Sequence, residues 1–246
     1  GAEASIGRNA KINEDNTGAG ADQQVRVKAV DETLLIDTAL AAAGGGTAGV
    51  GGTGNVGVIV KNTTAKVGKG TTIQARKAFE LTAASSDVTV APTAGFAGGG
   101  TAGVGGAIAA TAVANTTQAY VEDGTSTSDR AKIAVSNGNL EVSADEFSSA
   151  WVVSGTGAGG GTAGVGGALS VGVNASTTTA RIGDYTETDA AGTTSVTANS
   201  TENVNSVAIA GGGGGAAGVV GSVSVDVVVS KTEAGIGEHA KVNQNA

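Results

Sequence analysis

The chain of 246 residues contains 43 Gly, no Cys and no Met, has aromatics at only 2%, and carries a formal charge of −8 at pH 7. This composition excludes a thick aromatic core, a disulfide scaffold or thiolate metal centre, and the basic footprint that nucleic acid or an anionic lipid surface requires. Helix is disfavoured because each interior Gly costs about 1 kcal/mol relative to Ala, and the apolar runs alternate with a period of two, so the expected class is all-β.

The chain opens on Ala4-Ser5-Ile6-Gly7, with no Met at residue 1, and so reads as an excised or processed piece whose lack of a signal peptide says nothing about export. That opening is a repeat ending. It returns as Ala65-Lys66-Val67-Gly68, Ala119-Tyr120-Val121-Glu122, Ala180-Arg181-Ile182-Gly183 and Ala234-Gly235-Ile236-Gly237. Repeat ends therefore fall near 7, 68, 122, 183 and 237, and the alanines at 4, 65, 119, 180 and 234 are 61, 54, 61 and 54 residues apart. Long and short repeats alternate within one continuous domain, 1–246. The seven-residue difference falls in polar loops around 13–20 and 124–130, rich in Asp, Asn, Ser, Thr and Gly.

Next in each repeat come two short apolar segments, first Val27-Lys28-Ala29 and its equivalents at 81–83, 142–144 and 196–198, then 34–36, 88–90, 151–153 and 204–209. A glycine box follows, Gly-Gly-Gly-Thr-Ala-Gly-Val-Gly-Gly, identical at 44–52, 98–106 and 159–167 and worn at 213–221. The strand after the box alternates most clearly. Val56, Val58, Val171, Val173, Val225 and Val227 define an apolar ladder, while Asn55, Thr111, Ser170, Asn174, Ser224 and Asp226 mark a polar face. Each repeat then closes through a Thr-rich turn, such as Asn62-Thr63-Thr64.

Self-similarity at a fixed period is the signature of a stacked solenoid. The expected fold is a parallel β-helix of four repeats of 54–61 residues, with four short strands and roughly two coils in each. At about 4.8 Å per coil, eight coils would form a rod on the order of 40 Å long.

The ladder valines are expected to face the core, joined by Trp151 on the same parity. The structural glycines Gly44, Gly45, Gly46, Gly98, Gly99, Gly100, Gly159, Gly160, Gly161, Gly213, Gly214 and Gly215 mark close approach of backbone to backbone or a smooth docking strip. The letters G-x-G-x-x-G occur in the box, but no βαβ context accompanies them, so no nucleotide cofactor is expected.

His239 is the only histidine and lies near the end, a poor base for a triad or a metal site. The acidic pairs Glu122-Asp123, Asp145-Glu146 and Glu187 with Asp189 are the residue types for glycoside cleavage or calcium binding, but none recurs in register. No catalytic, cofactor-binding or metal residue is therefore assigned. Asn62, Asn115, Asn174 and Asn199 head Asn-x-Ser/Thr sequons, at positions where turn chemistry alone favours Asn. The most apolar run, 207–229, holds five consecutive glycines and Asp226 and is not expected to span a membrane.

The segment 157–171, Gly-Ala-Gly-Gly-Gly-Thr-Ala-Gly-Val-Gly-Gly-Ala-Leu-Ser-Val, followed by Thr-Thr-Thr-Ala-Arg-Ile-Gly at 177–183, resembles the repeats of very large bacterial surface proteins. These are the leukotoxin-type and filamentous-haemagglutinin-like adhesins, secreted as autotransporter passengers or through the two-partner route of type V secretion. The resemblance spans all four units. It implies a right-handed parallel β-helix in an extracellular virulence protein, attached to the bacterial outer membrane or secreted, serving as a non-enzymatic adhesive stalk. Implied partners are a host cell surface, matrix protein or glycan, with end-to-end or lateral self-association, and neither nucleic acid nor a membrane-spanning role. The alternatives are a secreted toxin (leukotoxin) passenger that engages host cells and, less favoured, a β-helical carbohydrate-active enzyme.

Overall fold

A computed structural model describes residues 1–244 and contains no helix among them. In chain order the strands are β1 (Ala2–Ile6), β2 (Lys11–Ile12), β3 (Gln24–Ile36), β4 (Ala39–Gly45), β5 (Ala48–Val67), β6 (Thr72–Ala75), β7 (Ala78–Gly99) and β8 (Ala102–Val121). They continue as β9 (Lys132–Val135), β10 (Asn139–Gly160), β11 (Ala163–Ile182), β12 (Glu187–Ala190), β13 (Thr194–Gly214), β14 (Ala217–Ile236) and β15 (Lys241–Val242). Every pairing is parallel and joins equivalent positions of successive repeats, as in Ala48, Ala102, Ala163 and Ala217.

The result is a parallel β-helix with three five-stranded sheets. The first sheet runs β1-β5-β8-β11-β14; the second runs β13-β10-β7, with β3 and β4 both paired to β7; the third runs β15-β12-β9-β6-β2. One repeat makes one coil: in along the second sheet, around the glycine box, back along the first, and through a short strand of the third.

This corrects the expectation of two coils per repeat. The apolar segments at 142–144 and 151–153 do not belong to separate short strands; both lie in the 22-residue β10, and 65–67 closes the 20-residue β5. At about 3.3 Å per residue these strands run about 70 Å, whereas five strands at about 4.8 Å stack to only about 20 Å. The segment is wider than it is tall. The third sheet was not foreseen, since its strands are at most four residues long.

Polar insertions occupy the corners foreseen for them. One, between β2 and β3, bends through left-handed Asn13, Asn16 and Gly18. The other lies between β8 and β9, where Asp129 accepts hydrogen bonds from the Thr125 and Ser126 amides (2.8 and 3.0 Å) and from Lys69 Nζ (2.9 Å). The Lys69 contact, aided by those amides, holds the Asp129 carboxyl well below the ordinary carboxylate range.

The main core lies where all three sheets meet. Phe79, Leu81, Leu140 and Val142 from the second sheet pack with Val67 and Val121 from the first and Ile73, Ile133 and Val135 from the third. Here the third sheet props the two long sheets apart and makes room for large side chains.

Candidate functional site

Towards the glycine box the third sheet is absent and the two long sheets close on each other. Side chains added at Gly45, Gly99, Gly160 or Gly214 would collide with the carbonyl of the alanine three residues on. At Gly100, Gly161 and Gly215 they would collide with the glycine carbonyl of the preceding coil. The alternate residues Gly44, Gly98, Gly159 and Gly213 face open space, as does Gly46 in the first coil. The first glycine of each triplet is thus a bare outer position, while the second and, in all coils but the first, the third are held against neighbouring backbone.

The narrow interior reverses the expected facing. Val56 and Val58 are 71% and 64% exposed; Val225 and Val227 are also exposed, and Val171 and Val173 are half-exposed. The ladder assigned to the core lies on the outer surface, as does Trp151 at 50% exposure. Inside are Asn55, Thr111, Ser170 and Asn174, the residues of the supposed outer face.

The physical reason is a recurrent bond between sheets. Asn55 Nδ2 donates to the Asp37 carbonyl (2.7 Å), Ser170 Oγ to that of Val152 (2.9 Å) and Ser224 Oγ to that of Ser206 (2.6 Å). Each donor lies 18 residues beyond its acceptor. In the remaining coil the same 18-residue step brings Ala109 against Ala91, with Val152 completing a small apolar plug. Sheets this close take mostly small or polar side chains, three of which satisfy opposing carbonyls, with Ile59, Val113 and Val152 the larger apolar residues enclosed among them.

Midway along the cross-section, a line of inward carboxylates crosses the coils. Lys61, 5% exposed, bridges Asp31 (2.5 Å) and Asp87 (2.8 Å). Asn115 Nδ2 donates to Asp87 Oδ2 (2.5 Å) and Glu146 Oε1 (2.9 Å). Ser200 Oγ lies 2.7 Å from Glu146 Oε2 and also contacts Glu202, which receives Ser176 and Ser230 as well.

The hydrogen bond from Lys61, together with the terminal amine of Gly1, pulls the Asp31 carboxyl down to about 2. Burial, opposed by the Asn115 and Ser200 contacts, leaves Glu146 raised. Burial works against the Glu202 carboxylate too, but the hydroxyls of Ser176, Ser200 and Ser230 outweigh it and the group titrates low. One Ser200 proton cannot serve two carboxylates. A protonated Glu146 donating to Ser200, which in turn donates to an ionised Glu202, satisfies every atom of that chain.

This line escaped sequence reading because Asp31, Asp87, Glu146 and Glu202 are 56, 59 and 56 residues apart, not 54, 61 and 54. The carboxylate hops between two adjacent inward columns, Asp31-Ser85-Glu146-Ser200 and Thr33-Asp87-Ser148-Glu202. A search tolerant of a two-residue offset would find it.

The other sequence candidates disperse. Asp145 and Glu146 point to opposite faces, Asp145 receiving Asn199 Nδ2 (2.8 Å) on the outside. Glu187 pairs with Arg130 (2.5 Å). Glu122 and Asp123 line a corner groove of about 430 Å³. Its cations are already paired, Arg8 with Glu122 (2.7 Å), Lys69 with Asp129 (2.9 Å), and Arg181 with Asp123 (3.0 Å) and Asp184 (2.7 Å). All of these except Arg181–Asp184, which lies within one coil, bind coil to coil. His239 stacks on Tyr185 (4.8 Å between ring centres), both with left-handed backbones. Of the sequon asparagines, Asn62 and Asn199 are exposed, whereas Asn115 and Asn174 are buried.

Among the described residues no helix is long and apolar enough to cross a membrane. Comparison of the chain with protein-family models, with curated proteins and with solved structures yields no match.

Proposed function

We propose that this chain is a structural and adhesive segment of a large bacterial surface adhesin, extracellular and either outer-membrane attached or secreted, acting as a rigid, non-enzymatic stalk. The observation that supports this is unbroken register: from β5 to β14 each position of one coil lies on its equivalent in the next. A coil that stacks this way lengthens by adding repeats, and it displays the same surface columns again and again. Weak contacts to a host cell surface, matrix protein or glycan then sum along the repeated face. The polar corners 13–23 and 122–131 break the repetition and supply individuality.

The test is binding of the purified chain to immobilised cells, matrix proteins and glycans against a globular protein of equal charge. Saturable binding supports adhesion, and binding no greater than that of the control removes the adhesive half of the reading. The exposed apolar strips favour a second reading, a toxin passenger engaging host membranes. Dye release from liposomes separates the two, since a stalk releases nothing.

A further inference from the structure

The outer face of the first sheet carries an unbroken apolar field. Alternate residues over 50–60, 104–114, 165–175 and 219–229 make six columns on four strands, and every one of those positions is Gly, Ala, Val, Leu or Ile. The second column, Gly52-Gly106-Gly167-Gly221, is a slot one side chain wide. Ridges flank it, Val50-Val104-Val165-Val219 on one side and Gly54-Ile108-Leu169-Val223 on the other. Among the described residues charge appears only beyond the far end, at Glu3, Lys66, Arg181, Lys231 and Glu233; the glycine-box end carries none.

We infer that this face is the docking surface for a second copy of the same chain, packed sheet to sheet with its strands antiparallel about a two-fold axis between the third and fourth columns. In that register the glycine slot of each copy receives the opposing ridge Val58-Ala112-Val173-Val227, and the third column meets the fourth. The columns bearing Glu3, Lys66, Arg181 and Glu233 pass beyond the partner's strand ends, and Lys231, in the column next to the field, meets the partner's Ala217 at the rim, from which its ammonium reaches water. The contact is isologous and closes as a dimer.

The field spans about 33 Å along the strands by about 19 Å across them, so pairing covers about 1,200 Å² in total, the lower bound for a stable interface. A flat, uncharged face with matching slot and ridge suits another copy of itself. This inference does not depend on host adhesion.

The test is sedimentation of the full 246-residue chain over a range of concentrations, beside the Val171→Lys/Val173→Lys variant, with thermal unfolding checked for both. The wild type should form a dimer, and the variant should be monomeric, with the unfolding midpoint that the wild type shows when diluted until it is monomeric. The chain has no cysteine, so a mixture of Leu169→Cys and Val171→Cys chains should cross-link across the axis, whereas Val165→Cys with Val171→Cys should not. This readout stands even where the lysine variant fails to fold. A monomeric wild type, a lysine variant that associates as strongly as wild type, equal cross-linking of both cysteine mixtures, or a wild type that stays monomeric and binds only phosphatidylcholine vesicles would each overturn the inference.

Discussion

Two regions of one cross-section share strands, repeats and register, yet they solve the packing problem in opposite ways. At the three-sheet end, Phe79, Leu81, Leu140, Ile73 and Ile133 are fully enclosed and the outside is polar, with Arg26 paired to Glu80 and Lys66 to Glu3. At the glycine end, Ser, Thr, Asn and Gly are enclosed while Val56, Val58 and Trp151 are exposed. A single strand passes from one regime to the other: β5 encloses Val67 and Ala65 near its end and exposes Val58 and Val56 a few residues earlier. The lesson is that sheet separation, set by the short third sheet, selects what can be enclosed before hydrophobicity is consulted.

The largest test of that contrast is Phe79→Ala against Val58→Ala. The first should cost about 3–5 kcal/mol through the cavity it leaves, the second within about 0.5 kcal/mol of nothing. Denaturant midpoints at a concentration low enough to keep the chain monomeric measure both. Equal effects would mean that Val58 is enclosed.

Lys61 stands where the two regimes meet. Lys61→Met should cost about 3–5 kcal/mol, because Asp31 and Asp87 are left facing each other without their cation. Recovery in the Lys61→Met/Asp87→Leu double variant would assign the loss to the stranded charge.

Adjacent glycines of one box give a comparison with backbone and sequence held constant. Gly160→Ala drives its new methyl into the Ala163 and Thr101 carbonyls and should cost about 3 kcal/mol or more. Gly159→Ala meets open space and should be neutral or gain up to about 1 kcal/mol from a stiffer unfolded chain. Thermal unfolding of the pair decides it.

Asn174 is fully enclosed between Val113 and Val228, and neither atom of its amide finds a partner among the described residues. Asn174→Val should therefore raise stability by about 1–3 kcal/mol, read from the denaturant midpoint.

The smallest effect is one of pH. Glu146, raised by burial, stays protonated in the folded chain after its unfolded counterpart has ionised, so its contribution is complete below the ordinary carboxyl value of 4.5 and fades as pH rises towards the folded value. Asp31, held down to about 2, acts in the opposite sense: its stabilisation is present above 3.8 and is lost as pH falls towards 2. Glu146→Gln should flatten the decline above pH 4.5 and leave the acid limb intact, whereas Asp31→Asn should weaken the acid limb. Unfolding midpoints measured from pH 2 to 8 check both signs.

Much of this protein is legible without coordinates. The glycine boxes at 44, 98, 159 and 213 and the Ala-x-Ile/Val endings fix the parallel register residue for residue, because a stacked coil must place equivalent positions over each other. The loops that absorb the seven extra residues follow from the same count. Inward and outward do not. A strand that alternates valine with Ser, Thr or Asn has two self-consistent facings, and ordinary hydrophobic reasoning chooses valine for the inside.

Only the tertiary structure reveals that β10 is one strand of 22 residues, that Lys132-Ile133-Ala134-Val135 belongs to a third sheet, and that without this sheet the long sheets come close enough for Ser170 to reach the carbonyl of Val152. Sequence period therefore determined which residues stack. The distance between sheets, a property of the closed coil and of no single repeat, decided which of them are inside.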